Sequence, residues 1–212
     1  MGLSVCVGVL PYLLEHEPEM AADFSNELEI INHYLVSCSL PSHIEPTEPV
    51  PGSSRAVYTQ FPYSFLHHLR RVYAHVRTDS TWIATPVNDS EDPTQDPLVV
   101  DLSLEFDSHL LVHSDCEGYY LPIEFPEPLF VGDELTGGGM VGSSFGLMSE
   151  LVQVSGSLGV VLDSSILSNE EASRLQKSID SQEPLYIELM VWFCLYEAAR
   201  LSLQYRTAIV YN

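Results

Sequence analysis

The chain has 212 residues, of which 30 are acidic and only 8 are Lys or Arg, so its formal net charge is −22. Hydrophobic residues make up 45% of it, which excludes wholesale disorder because disordered chains combine low hydrophobicity with high charge. The length suits one domain with its own core, and we predict a single domain over 1–212.

The first predicted elements are helical. Residues 3–15 form an apolar run that we predict as a short helix kinked at Pro11. A second helix is predicted over 18–38, because its apolar residues are spaced four, three and four apart: Phe24, Leu28, Ile31 and Leu35. The proline-rich stretch 39–62 is predicted to be a loop.

The middle of the chain mixes helical and extended patterns. A third helix is predicted over 63–77, and its Arg residues are expected either to bind a carboxylate ligand or to pair internally with the acidic middle of the chain. A short strand is predicted over 82–87. Residues 98–113 suit a helix at their start and a strand at their end. An extended segment is predicted over 119–125, and its Pro122 favours an edge strand.

The last third contains the most apolar helix. A Gly-rich turn at 136–144 is predicted to lead into a helix over 143–160, and Ser168 begins a capping-box pattern for a short helix. Residues 185–205 are apolar nearly all round, which predicts an enclosed central helix. Residues 207–211 are predicted to be a strand that pairs with the extended segment near 120. The predicted fold is mostly α with a small β-sheet (α+β), a single compact domain around the buried C-terminal helix.

The distribution of charge predicts the class of partner. No Lys or Arg occurs over 78–173, although this stretch holds more than half of the acidic residues. Such a segment repels phosphate, so we expect no binding to nucleic acid or to an anionic membrane. It favours a basic protein, and we predict an acidic, non-catalytic protein-binding module, in its sharpest form a toxin-neutralising, immunity-like protein. Solubility alone is the other interpretation of the acidity.

The predicted partner-binding residues lie where aromatic side chains alternate with carboxylates, because aromatic residues inside a charged rim are typical anchors. They are Asp115, Glu117, Tyr119, Tyr120, Glu124 and Phe125.

A metal site is the alternative for the same region. His109 and His113 are four residues apart and share a face in a helix or in a strand, and Cys116 is a candidate third zinc ligand. A metal-dependent enzyme would use this cluster of His, Asp and Cys over 109–117. Because no established zinc spacing is matched, we predict no cofactor and no catalytic residues. A structural or assembly subunit is a third hypothesis, and the sequence leaves the oligomeric state open.

The expected location is the cytoplasm. Three of the four cysteines stand in apolar contexts, which favours buried free thiols in a reducing compartment. The apolar N-terminus lacks a positive flank, so it is a poor signal peptide.

Four segments carry a resemblance to known proteins. They are 61–71 (FPYSFLHHLRR), 108–122 (SHLLVHSDCEGYYLP), 138–144 (GGMVGSS) and 196–202 (YEAARLS). The chain resembles a set of uncharacterised bacterial cytosolic proteins across nearly its whole length. The resemblance implies a bacterial cytosolic setting and implies no activity.

Overall fold

The computed structural model describes residues 2–88, 91–132 and 135–212. Over these residues the chain forms seven α-helices, a mixed six-stranded sheet and a two-stranded hairpin. The protein is 48% helical and packs as one compact domain, which confirms the predicted α+β class. Within the described ranges, no helix is both long and apolar enough to cross a membrane.

The six-stranded sheet joins segments that are far apart in the chain. Its strand order is β2-β1-β8-β3-β5-β4, in which only β3 and β5 are parallel neighbours. The strands of this sheet are β1 (Gly2–Val7), β2 (Gln60–Pro62), β3 (Gly118–Leu121), β4 (Leu129–Phe130), β5 (Met140–Ser143) and β8 (Ile209–Tyr211). The separate hairpin pairs β6 (Leu162–Asp163) with β7 (Ile166–Leu167).

Helices cover both faces of the sheet. The helices are α1 (Leu10–His16), α2 (Pro18–Ser37), α3 (Tyr63–Thr78), α4 (Pro97–Ser103), α5 (Ser144–Ser155), α6 (Asn169–Asp180) and α7 (Tyr186–Tyr205). One apolar cluster joins the sheet to α1 and α2, and a larger one joins it to α3, α5, α6 and α7. Helix α7 is buried almost throughout and packs against α3, α5 and α6, so the predicted central helix is confirmed.

Strand β3 shows how the two apolar clusters divide the sheet. Tyr119 and Leu121 belong to the cluster under α1 and α2, whereas Tyr120 belongs to the cluster under α7. Successive strand residues point to opposite faces, and here both faces are covered. All three side chains are therefore buried.

The predicted helix over 3–15 is wrong in its first half. Residues 2–7 form β1, which pairs with β2 and β8, and the helix begins only at Leu10. Leu3 and Val5 alternate with the less buried Ser4 and Cys6, which is a strand pattern. A short apolar run suits either structure, and here distant strands provide the backbone partners.

Two strand predictions are also wrong. Residues 82–87 have no regular secondary structure. Strand β3 lies between β8 and β5 rather than at the edge, and it ends at Leu121, so Pro122 follows the strand and leaves its hydrogen bonds intact.

Other local predictions are confirmed. Helices α2 and α3 lie where the apolar spacing placed them, and β8 pairs with β3. The Oγ atom of Ser168 accepts the N–H of Glu171 at 3.0 Å, as the capping pattern requires. The Oγ atom of Ser143 likewise accepts the N–H of Gly146 at 3.2 Å and caps α5, which ends at Ser155, earlier than predicted.

Candidate partner-binding groove

The Arg residues of α3 pair internally. Arg70 contacts the carboxylate of Asp115, and the Arg71 Nε atom lies 3.4 Å from Asp96. Arg77 binds Asp107 through its Nη1 atom at 2.6 Å. These contacts place three guanidinium groups against the acidic middle segment, so part of the negative charge that the sequence concentrates over 78–173 is compensated within the fold.

The loop that carries the predicted metal ligands is anchored from two sides. Arg70 donates hydrogen bonds to the carbonyl oxygens of Leu110 and His113, and Glu150 accepts the backbone N–H groups of His109 and Leu110 at 2.9 and 2.7 Å. Burial raises the pKa of Glu150 to about 7, although these hydrogen bonds oppose the shift. The loop is therefore held by buried polar contacts, which keep its shape without regular secondary structure.

His109 is a buried side chain with a defined tautomer. Its Nδ1 atom accepts the N–H of Ser143 at 3.1 Å, so the proton of the neutral ring resides on Nε2. The ring packs edge-to-face against Phe125, with centroids 5.6 Å apart, and burial lowers its pKa to about 4.

His113 and Cys116 lie in different surroundings from His109. The ring of His113 stacks on Tyr120 at 4.1 Å, with one nitrogen 3.1 Å from the Ser114 carbonyl and the other 3.1 Å from the Tyr119 carbonyl. Burial also lowers its pKa to about 4. Cys116 is exposed. Across the described part of the chain, no group of three or more His, Cys, Asp or Glu side chains is arranged to hold a metal ion. The zinc ligand set stays a prediction without geometric support.

The predicted partner-binding residues are dispersed. Tyr119, Tyr120 and Phe125 are at most 5% exposed, so their rings belong to the core. Asp115 is partly exposed; burial would raise its pKa, but hydrogen bonding to His67 and the charge of Arg70 lower it to about 2. Glu124 is exposed and lines a pocket beside His109, away from Glu117.

Glu117 and Tyr119 do line one common feature, an open groove between the α1–α2 layer and the sheet. Its volume is about 760 Å³, within the range of sites that enclose drug-sized ligands. Apolar side chains from both layers form most of its surface: Val9, Leu13, Met20, Phe24, Tyr119 and Val210. We call this the acidic groove, because four carboxylates also line it: Glu17, Asp23, Glu27 and Glu117.

The acidic groove belongs to a strongly anionic layer. Among the described residues that line it, none is Lys, Arg or His. Helices α1 and α2 and their junction carry six acidic residues and no Lys or Arg. On α2, Glu19, Asp23 and Glu27 follow one another at intervals of four residues, which places one carboxylate every ~6 Å along the helix axis. Glu27 also accepts the hydroxyl hydrogen of Tyr119.

The sequence contains a signal for this layer that lies outside residues 78–173. The first Lys or Arg of the chain is Arg55, and eight acidic residues precede it. Six of these eight acids lie on α1, on α2 or at their junction, which form a layer without Lys or Arg, whereas α3 places its Arg residues against the middle segment.

Among protein-family models, the one described as "Putative DNA-mimic protein" matches residues 1–211 of the chain. The chain belongs to this family. No curated protein and no solved structure is significantly similar to the chain.

Membership of the DNA-mimic family corrects the predicted function and partner. The toxin-neutralising, immunity-like role is wrong, because a DNA mimic is directed at DNA-binding proteins rather than at a toxin. The predicted partner, a basic protein without further definition, is corrected to the class that the family description suggests, DNA-binding proteins, with which a basic partner is compatible. The acidic, protein-binding character of the chain agrees with the family, and a bacterial origin stays a prediction.

Proposed function

We propose that the protein binds a DNA-binding protein by presenting its α1–α2 layer, with the acidic groove, in place of the DNA backbone. The observation that carries the proposal is the set of four carboxylates that line the acidic groove beside the exposed side chains of Met20 and Tyr12. Membership of the DNA-mimic family supports the same partner class.

Electrostatics explain why this layer suits a DNA-binding surface. A protein that binds duplex DNA carries Lys and Arg that neutralise phosphates, and such a surface attracts any ordered array of negative charge. A chain with net charge −22 steers cationic partners toward itself and repels nucleic acid. A cytoplasmic location, where DNA-binding proteins are available, is part of this proposal.

Displacement from DNA tests the proposal. Cellulose carrying duplex DNA is loaded with an extract of the cells that produce the protein, washed, and eluted with the purified protein at constant ionic strength. Constant salt is essential, because salt alone releases proteins held by phosphate contacts. We expect micromolar wild-type protein to release particular DNA-binding proteins.

A matched pair of variants makes the test specific to the groove. The groove variant carries Glu17→Gln, Asp23→Asn and Glu117→Gln. The control variant carries Asp101→Asn, Asp163→Asn and Glu170→Gln, three exposed acids on α4, the β6–β7 hairpin and α6, which pack on the other apolar cluster, and it has the same net charge as the groove variant. We expect the control variant to release DNA-binding proteins at the same concentration as wild type. We expect the groove variant to require at least a tenfold higher concentration for the same release. Failure of wild type to release any protein, or equal action of both variants, would contradict the proposal.

A further inference from the structure

The charge density of α2 is too low for α2 to imitate DNA by electrostatics alone. Each strand of duplex DNA carries one negative charge per ~3.4 Å of the helix axis. The carboxylate row Glu19, Asp23 and Glu27 offers one per ~6 Å. A partner that recognises this face in preference to DNA therefore needs a contact that DNA does not offer.

The acidic groove provides an apolar contact of that kind. Met20 and Tyr12, which line it, are 54% and 58% exposed, whereas Phe24 and Tyr119, which also line it, are almost fully buried. Single exposed apolar residues are ordinary on proteins. Here, however, they line one groove together with four carboxylates, so apolar and charged contacts would be made by the same bound segment.

We propose that the acidic groove binds a segment of the partner in which apolar side chains are flanked by Lys or Arg. This inference rests on the proposed function and specifies the chemistry of the partner. The apolar side chains enter the groove and contact Met20 and Tyr12, while the flanking cations meet Glu17, Asp23 and Glu117. Such a segment fits the acidic groove better than DNA does, because a nucleic acid would place phosphates against these carboxylates.

Charge complementarity favours this occupant over the other candidates. A second copy of the chain would bring like charges together around the groove, which disfavours association. An anionic lipid surface is disfavoured for the same reason. A cationic, amphipathic protein segment satisfies both the apolar and the charged parts of the groove.

Two peptide probes test the inference by fluorescence anisotropy. One is the amphipathic peptide LKKLLKLLKKLLKL, and the other is decalysine, which has charge without apolar side chains. The Debye length falls to ~3 Å at 1 M salt, so added salt weakens contacts between exposed charges. Added salt does not weaken the burial of apolar side chains. We expect the amphipathic peptide to bind at least tenfold more tightly than decalysine and to retain measurable binding in 0.5 M NaCl.

Matched variants assign that binding to the groove. The double variant Tyr12→Ala, Met20→Ala removes two exposed side chains that line it, and the control Leu104→Ala, Val161→Ala removes two exposed apolar side chains, 69% and 70% exposed, elsewhere. We expect the groove variant to weaken binding of the amphipathic peptide by about tenfold, which is ~1.4 kcal/mol, and to leave decalysine binding unchanged. The control should change neither.

Each contrary result overturns the inference, and the displacement assay shows whether the proposed function fails with it. If both peptides bind equally and are lost in 0.5 M NaCl, or if neither binds while displacement from DNA succeeds, recognition is electrostatic or located elsewhere and the proposed function stands. If sedimentation shows a dimer that Met20→Glu abolishes, the groove is covered by a second copy. If neither peptide binds and displacement fails, both proposals are overturned.

Discussion

The guanidinium of Arg70 donates its Nε–H to the carbonyl oxygen of Leu110 at 2.8 Å. Leu110 lies in the loop that contains the predicted cluster of His, Asp and Cys over 109–117. The Arg70 side chain also binds the carbonyl of His113 and the carboxylate of Asp115. One buried cation from α3 thus shapes a loop 40 residues away in the chain. His109, Leu110, Leu111 and His113 are therefore part of the folded core, whereas Cys116 and Glu117 remain exposed.

Replacing Arg70 by Met tests this role. The variant leaves two buried carbonyls without their donor and Asp115 with His67 but without a guanidinium, so we expect the free energy of unfolding to fall by about 3 kcal/mol. Arg71→Met, which breaks a longer contact to Asp96, a hydrogen bond to the Thr85 carbonyl and a contact with the Trp82 ring, leaves no buried carbonyl pair without a donor and should cost less, about 1–2 kcal/mol. Urea unfolding followed by circular dichroism measures both, and equal effects would show that Arg70 has no special position.

Gly146 is expected to tolerate no side chain. A Cβ atom there would lie 1.9 Å from the Cδ2 atom of His109, which is itself buried. Gly146→Ala should therefore destabilise the protein by about 2 kcal/mol through overpacking. Gly156→Ala is the matched control, because Gly156 has helical dihedral angles and open space around its Cβ position. We expect the control to gain about 0.5 kcal/mol, since Ala restricts the unfolded chain. Thermal unfolding of the two variants decides the matter.

The buried histidines predict a loss of stability in mild acid. Both His109 and His113 have pKa values lowered to about 4, so between pH 6.5 and 4 the unfolded chain binds protons that the folded protein does not. Glu150 has the opposite effect, because its raised pKa of about 7 lets the folded protein hold a proton that the unfolded chain has released above pH 4.5.

Two histidines outweigh one carboxyl group in this balance. We expect the free energy of unfolding to fall by about 3 kcal/mol as the pH is lowered from 6.5 to 4. In Glu150→Gln the opposing group is absent, so the pH dependence should become about twice as steep over the same window. Urea titrations at half-unit pH intervals measure both slopes. Stability that stays constant from pH 6.5 to 4 in wild type would contradict the assignment.

Glu197 is expected to anchor the proline-rich loop to α7. Its side chain is fully buried and bonds the Nη2 atom of Arg55 at 2.6 Å and that of Arg200 at 2.8 Å. Glu197→Gln removes the negative charge that pairs with Arg55 and Arg200, so we expect the free energy of unfolding to fall by about 3 kcal/mol. Glu171→Gln, which breaks an i,i+3 pair with the more exposed Arg174, should cost less than about 1 kcal/mol. Urea unfolding measures the loss of stability in both variants. The rate of limited proteolysis within 39–62 should rise only in Glu197→Gln.

The sequence alone determined the elements whose signals are local. The spacing of Phe24, Leu28, Ile31 and Leu35 predicts α2, and the apolar run after residue 185 predicts the central helix α7, because a 3.6-residue period is set within one segment. The cap at Ser168 was predictable for the same reason, since a capping side chain bonds a backbone N–H only a few residues ahead; for α5 the sequence left Ser143 and Ser144 as alternatives, and Ser143 is the cap.

Tertiary structure decided everything that depends on distant partners. Residues 2–7 become a strand because β2 and β8, more than 50 and 200 residues away, provide their hydrogen bonds. Tyr119 and Tyr120 are both buried because helices cover both faces of the sheet. The position of the anionic surface was decided in the same way: Arg70 and Arg77 compensate acids of the middle segment, while α1 and α2 form a layer without Lys or Arg. Charge can be counted along a chain, but the partner of each charge is selected by folding.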